Sequence, residues 1–191
     1  GQIHEGLKLF TEAIKYSKKL NNVALIQAIQ SSELIYKCEC GIQIHESFIE
    51  LESKYASLKE KDSFSKSNLG LELCRQYTLK GQWQMALKIL EEISGLIYQS
   101  QNRRQEARLN LRWAEIFYLK NESVTCLHYL RSGKRCLEYV DETFEIQFLG
   151  LELKILKTQA QTKLTASLEK RFDELSLKLN LVKNNNILYR Q

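Results

Sequence analysis

Apolar residues recur at the spacing of one helix face along almost the whole chain: Leu7, Phe10 and Ile14; Leu87 and Leu90; Trp113, Ile116 and Phe117; Leu164, Leu168, Phe172, Leu175 and Leu179. No stretch sustains the apolar-polar alternation of a half-buried strand. Polar breaks at Asn21-Asn22, Cys40-Gly41, Ser63 to Ser67, Lys80-Gly81, Gln101-Asn102, Lys120-Asn121, Asp141 and about Gln161 divide the pattern. They predict about nine to ten helices of roughly 14 to 20 residues joined by short loops, the layout of antiparallel neighbours.

The breaks are periodic. Gly1, Gly41, Gly81 and Asn121 follow one another at a constant interval of forty positions, and the polar Gln161 continues the series. Gly and Asn are the residues that most readily take the positive φ at which a chain turns out of a helix. The segment Leu69-Gly70-Leu71-Glu72-Leu73 also recurs as Leu149-Gly150-Leu151-Glu152-Leu153, displaced by twice that interval. Two repeats on one period predict a solenoid of stacked helix pairs.

Residues 67–98 carry a family resemblance. Gly70, Leu73, Cys74 and Tyr77 stand at the first-helix positions of the tetratricopeptide pattern, Gly81 at its turn and Trp83 just after it. Ala86, Leu90 and Ile93 match its second helix. Small residues such as Cys74 and Ala86 let two helices approach closely while Tyr77 and Trp83 fill the space beside them. Trp113, Ala114, Phe117, Asn121, Cys126, Leu130 and Gly133 repeat the scheme one period later, and Gly6, Phe10 and Ala13 fit a second helix. Another unit places Ser47 and Leu51 after a one-residue slip, and the last keeps Leu153 and Ala166. The chain thus resembles a divergent tetratricopeptide-like family, which implies one right-handed all-α solenoid segment over residues 1–191. An irregular α-superhelix is the alternative.

Composition narrows the class without changing the fold. The 191 residues include no Pro and only 8 Gly, with 43% hydrophobic and 27% charged residues, a bias toward helix formers and away from disorder. At typical usage about ten prolines are expected; their absence removes Pro-rich linkers and ligands, and means that the units end on Gly, Asn and polar clusters. No apolar run reaches the roughly 20 residues of a membrane span and no secretion signal opens the chain. The odd, irregular set Cys38, Cys40, Cys74, Cys126 and Cys136 fits reduced thiols in cytosol or nucleus. A net charge of +5 permits an anionic partner without requiring one. A start at Gly1 and an end just after Ile187, Leu188 and Tyr189 are expected of a piece of a longer protein.

Catalytic and metal chemistry find no foothold, so no enzyme and no cofactor is expected. Cys38, Cys40 and His45 lack a fourth ligand and the paired spacing of a zinc site, and the two cysteines are expected to pack at a helix end. His128 and Cys126, two positions apart on a helix, do not share a face. No Gly-rich phosphate loop, nucleophile elbow or H-E-x-x-H motif occurs.

The sharpest polar feature is Arg104, Arg108 and Arg112, stacked at every fourth position beside Arg103. Guanidinium forks suit carboxylates and phosphates. By the resemblance, Arg108 and Arg112 fall on the concave face, where some family members hold a partner's C-terminal carboxylate with a basic pair. The likeness stops there, because the companion positions hold Glu72, Ser31 and Ile35. A solvated face partly neutralised by Glu106 and Glu115 explains the stripe equally well. Arg131, Lys134 and Arg135 complement a helix C-terminus, and Tyr77, Trp83, Trp113 and Phe117 are expected in the core. The expected function is a non-catalytic protein-protein interaction scaffold whose groove, lined by Arg75, Arg104, Arg108, Arg112, Glu115 and Tyr118, takes an extended or helical partner segment. By resemblance, such divergent repeats occur in cell-cycle, chromosome-cohesion and kinase-regulatory assemblies. A nucleic-acid-binding helical repeat and a regulatory region of a larger enzyme are the alternatives.

Overall fold

The structure, a computed structural model, describes residues 2–59, 62–136, 138, 142–158 and 162–179. Its nine described helices are α1 (Gln2–Lys19), α2 (Val23–Cys40), α3 (Ile44–Ser57), α4 (Ser63–Leu79), α5 (Trp83–Ser100), α6 (Arg103–Leu119), α7 (Ser123–Lys134), α8 (Glu142–Thr158) and α9 (Thr162–Lys178), and no strand occurs among the described residues. Helices end where the sequence lets the backbone turn. Asn21, Gly41, Gly81, Gln101 and Asn121 all take positive φ, from 50° to 72°. They fall on a grid of half the sequence period, so both helices of a pair can end in the same left-handed conformation. Two of the following helices start on a side-chain cap: the Asn22 Oδ1 accepts the Leu25 N–H at 3.0 Å, and the Asn102 Oδ1 accepts the Gln105 N–H at 3.1 Å.

Five predicted breaks coincide with these turns. The run Ser63 to Ser67 does not: it forms the first turns of α4, and the chain leaves α3 at Leu58. Serine suits a first turn as well as a loop, and Ser67 is buried in the helix packing. Gly1, Asp141 and Gln161 lie outside the described residues.

Consecutive helices pack as neighbours, most extensively α1 with α2, α4 with α5, α6 with α7 and α8 with α9. The helices α2, α4, α6 and α8 also touch in series, so one helix from each pair joins a common row. This is an all-α solenoid of helix pairs. Leu51, Leu69, Leu90 and Ile93 fill the space between α3, α4 and α5, and Leu111, Leu130, Phe148 and Ile155 fill that between α6, α7 and α8. Cys74, Ala86, Ala114 and Cys126 are fully buried, as the close approach of paired helices requires. Ser47 and Leu51 are buried too, whereas Ala166 is exposed. The residue that permits close approach changes sides between units. A Cβ on Gly70 of α4 would stand 2.9 Å from Ile93 of α5. One unit further on, Asn110 replaces the glycine and Gly133 replaces the isoleucine, and a Cβ on Gly133 would stand 3.1 Å from that of Asn110.

Gly95, midway along α5, is different: outside its own helix backbone, no atom lies within 4 Å of the Cβ it lacks. Gly in a helix interior is about 1 kcal/mol less favourable than Ala. Gly95→Ala is therefore expected to stabilise the protein by about that amount, read as a higher urea midpoint; an unchanged or lower midpoint contradicts the open surroundings.

Candidate partner-binding groove

The row of α2, α4, α6 and α8 walls a groove of about 590 Å³, with Phe10 of α1 and Phe144 of α8 also in its lining. Small polar side chains come from each helix in turn: Ser31 and Ser32, then Ser65 and Asn68, then Asn102 and Gln105, then Thr143 and Gln147. Among them stand Glu39 and four arginines, Arg75, Arg104, Arg108 and Arg112.

Two of these arginines are anchored by carboxylates of their own helix. On α4, Arg75 Nε donates to both Glu72 carboxylate oxygens at 3.1 and 3.0 Å, and its Nη2 donates to Glu72 Oε1 at 2.9 Å. The Gln76 amide donates to the same oxygen at 2.8 Å. Burial works against the Arg75 charge, but the Glu72 carboxylate outweighs it and holds the guanidinium above its ordinary pKa. On α6, Arg112 Nη1 donates to both Glu115 oxygens at 2.7 and 2.6 Å, and the two side chains are only 2% and 3% exposed. The pairs stand at the same register of successive units with reversed polarity: Glu72 then Arg75, Arg112 then Glu115.

Arg108 is held differently. Its Nη1 donates to the Asn68 side-chain oxygen at a long 3.3 Å, and its guanidinium carbon lies 5.2 Å from the Phe144 ring centre. It makes no ion pair among the described residues, and its Nε is enclosed without a hydrogen-bond partner. Burial pulls its pKa below the usual value, partly offset by Glu39. One turn away, Gln105 donates its amide N–H to the Phe64 carbonyl at 3.4 Å, which fixes the amide's orientation and leaves the enclosed Oε1 without a donor.

The structure thus brings Arg75, Arg104, Arg108 and Arg112 to one groove. Glu115 lies beneath its surface as the buried partner of Arg112, and the half-buried Tyr118 packs against the core between α6 and α8 instead. Ten positions separate Tyr118 from Arg108, which at 3.6 residues per turn places it roughly 80° round the helix. The stripe passes from solvent to interior: Arg104 is exposed, Arg108 half-buried and Arg112 interior, where Glu115 neutralises it, while Glu106 pairs with Arg103 at 2.8 Å. Glu39, Gln105, Asn68 and Phe144 escape a reading by sequence spacing within one helix. One signal was available: at an offset of one period Asn68 aligns with Arg108, and the Glu72/Arg75 pair with Arg112/Glu115.

Other polar candidates resolve as packing. Burial pushes the thiols of Cys38 and Cys126 up to about 12, Glu72 adding to the effect at Cys38, and burial raises that of Cys74 as well. Such thiols are poor nucleophiles. His45 is exposed, and no three His, Cys, Asp or Glu side chains gather as a metal site among the described residues. Lys134, in the last turn of α7, pairs with Glu152 of α8. Tyr77 is buried in the core, while Trp113, Phe117 and Tyr129 stack half-buried with ring centres 5.4 to 5.9 Å apart. No helix among the described residues is long and apolar enough to cross a membrane.

No family model, no curated protein and no solved structure matches the chain.

Proposed function

We propose that the protein is a non-catalytic interaction scaffold, a divergent tetratricopeptide-like solenoid whose groove holds an extended or helical segment of a protein partner within a larger assembly. The observation that carries this reading is a groove running across all four helices of the row, lined by hydrogen-bonding side chains from each and by four arginines. A surface of that length and chemistry suits main-chain and side-chain contacts to one continuous segment. Residence in cytosol or nucleus, and the cell-cycle or chromosome-associated assemblies in which similar divergent repeats occur, belong to the same proposal.

A nucleic-acid reading is less well supported, because Glu72 and Glu115 already neutralise two of the four arginines. Binding of a polyanion needs several free cations and falls steeply with salt.

The test compares partners retained by the wild-type protein with those retained by Arg104→Glu/Arg108→Gln, which alters the groove while leaving both buried ion pairs intact. Lys88→Glu, on an exposed position of α5, is the control. A groove partner is lost about tenfold from the double variant, the effect of one charge-assisted contact, and is retained by the control. Equal recovery of every partner by all three proteins removes the groove assignment.

A further inference from the structure

Wherever the groove anchors a buried guanidinium for structural reasons, as at Arg75 and Arg112, the same helix supplies its carboxylate, Glu72 and Glu115 respectively. Arg108 breaks that rule. It has no carboxylate partner among the described residues, only one long bond to an amide oxygen and an aromatic ring on one side, and its enclosed Nε has no acceptor, as at Arg112. Gln105, one turn back on the same helix face, presents an enclosed carbonyl oxygen with no donor. An under-satisfied charged donor and an under-satisfied neutral acceptor therefore face the same groove, one helical turn apart. Polar groups left in this state are unfavourable, and a ligand that satisfies them recovers that loss on binding.

We infer that Gln105 and Arg108 form a subsite for one acidic side chain of an extended protein segment, its carboxylate on the Arg108 fork and its neighbouring backbone N–H on Gln105 Oε1. The inference rests on the reading of the groove as a partner surface and names the residue class that surface selects. The charge balance at the subsite sets how much charge it takes up. Arg75 and Arg112 are already matched by Glu72 and Glu115, so at the subsite itself Arg108 is the guanidinium left to take up charge, with Arg104 one turn back on α6 and Glu39 opposing it, a balance that suits a single carboxylate better than a phosphate backbone. Phe144 covers part of the guanidinium, and a charge-assisted hydrogen bond is stronger where water is excluded. Glu39 is the chain's own competitor. At the end of α2, with part of its side chain exposed, it forms no ion pair among the described residues; desolvation and the Glu72 carboxylate raise its pKa against the pull of Arg108, Arg75 and Arg112. It repels an incoming carboxylate.

The test is selection of a random dodecapeptide library, displayed without free C-termini, on wild-type protein, Arg108→Gln and Glu39→Gln. Enriched peptides are then synthesised with each acidic residue and with its amide, and measured by fluorescence anisotropy. Peptides enriched on wild type carry Asp or Glu at one fixed position. Changing it to the amide weakens binding to wild type about tenfold, but less than about twofold to Arg108→Gln. Glu39→Gln tightens the acidic peptide roughly threefold, the size of one screened like-charge contact, and leaves the amide peptide unchanged. Because Glu39 is exposed, that arm holds even where Arg108→Gln folds poorly. Enriched peptides without an acidic residue, or an amide effect equal on wild type and Arg108→Gln, overturn the subsite and leave the scaffold reading standing. Stronger binding of a phosphoserine version than of the Glu version overturns the carboxylate assignment. Enrichment of no peptide on any bait overturns the groove reading itself.

Discussion

Arg112→Leu is expected to lower unfolding stability by about 3 to 5 kcal/mol, because it takes from the buried Glu115 carboxylate the guanidinium that grips both its oxygens. Both side chains are almost wholly buried. A domain stable by about 5 to 15 kcal/mol loses a large share of its margin. The double replacement Arg112→Leu/Glu115→Leu separates burial from pairing: removing both charges together is close to neutral. Exchanging the two, Arg112→Glu/Glu115→Arg, is expected to recover only part of the loss. The pair survives, but its polarity then copies that of Glu72 and Arg75 on the adjacent helix, where the native arrangement opposes it. Urea titration of the four proteins at neutral pH measures this series. A single-variant loss below about 1 kcal/mol, the range of exposed pairs, sinks the claim that the pair is desolvated.

Gly133→Ala is expected to destabilise by about 2 kcal/mol, the usual size of an overpacking penalty, although alanine is intrinsically the better helix former. The propensity gain is about 1 kcal/mol. Against it, the new methyl would stand 2.5 and 2.6 Å from two ring carbons of Phe148, far inside the roughly 3.5 to 4.0 Å of favourable contact. Phe148 is fully buried and cannot swing into solvent, so α7 and α8 must part. Overpacking of this kind typically exceeds the propensity term. Phe148→Leu, which removes the obstructing ring atoms, is expected to make Gly133→Ala nearly neutral in that background. Thermal melts of the four-protein cycle give the coupling; additive effects mean that the two residues do not meet.

The solenoid was legible because its signals are local. A left-handed residue at Gly41, Gly81 or Asn121 is dictated by its own backbone, and the burial of Cys74, Ala86 and Leu90 follows from a spacing within one helix pair. The groove was legible only in part. Arg75, Arg104, Arg108 and Arg112 were readable as a basic set, but which of them are satisfied depends on the helices stacked around them. The sequence invited grouping at every fourth position, whereas the operative contact for Arg112 is with Glu115, at the third. Ser63 to Ser67 misled for a related reason: a serine cluster starts a helix or breaks one according to what packs on it, and here α4 is held between α3 and α5.

The reversal of the ion pair between α4 and α6 sets two neighbouring helices of the row in opposite polarity, Glu72 one unit before Arg112 and Arg75 one unit before Glu115. The alternation stops there: Ser32 and Ile35 stand one unit earlier, and one unit later stand Ile155 and Glu152, the latter paired with Lys134 of α7. The two central units share a backbone rhythm but not a charge pattern, so neither can be exchanged for the other, or for a neighbour, without rewriting its buried charges.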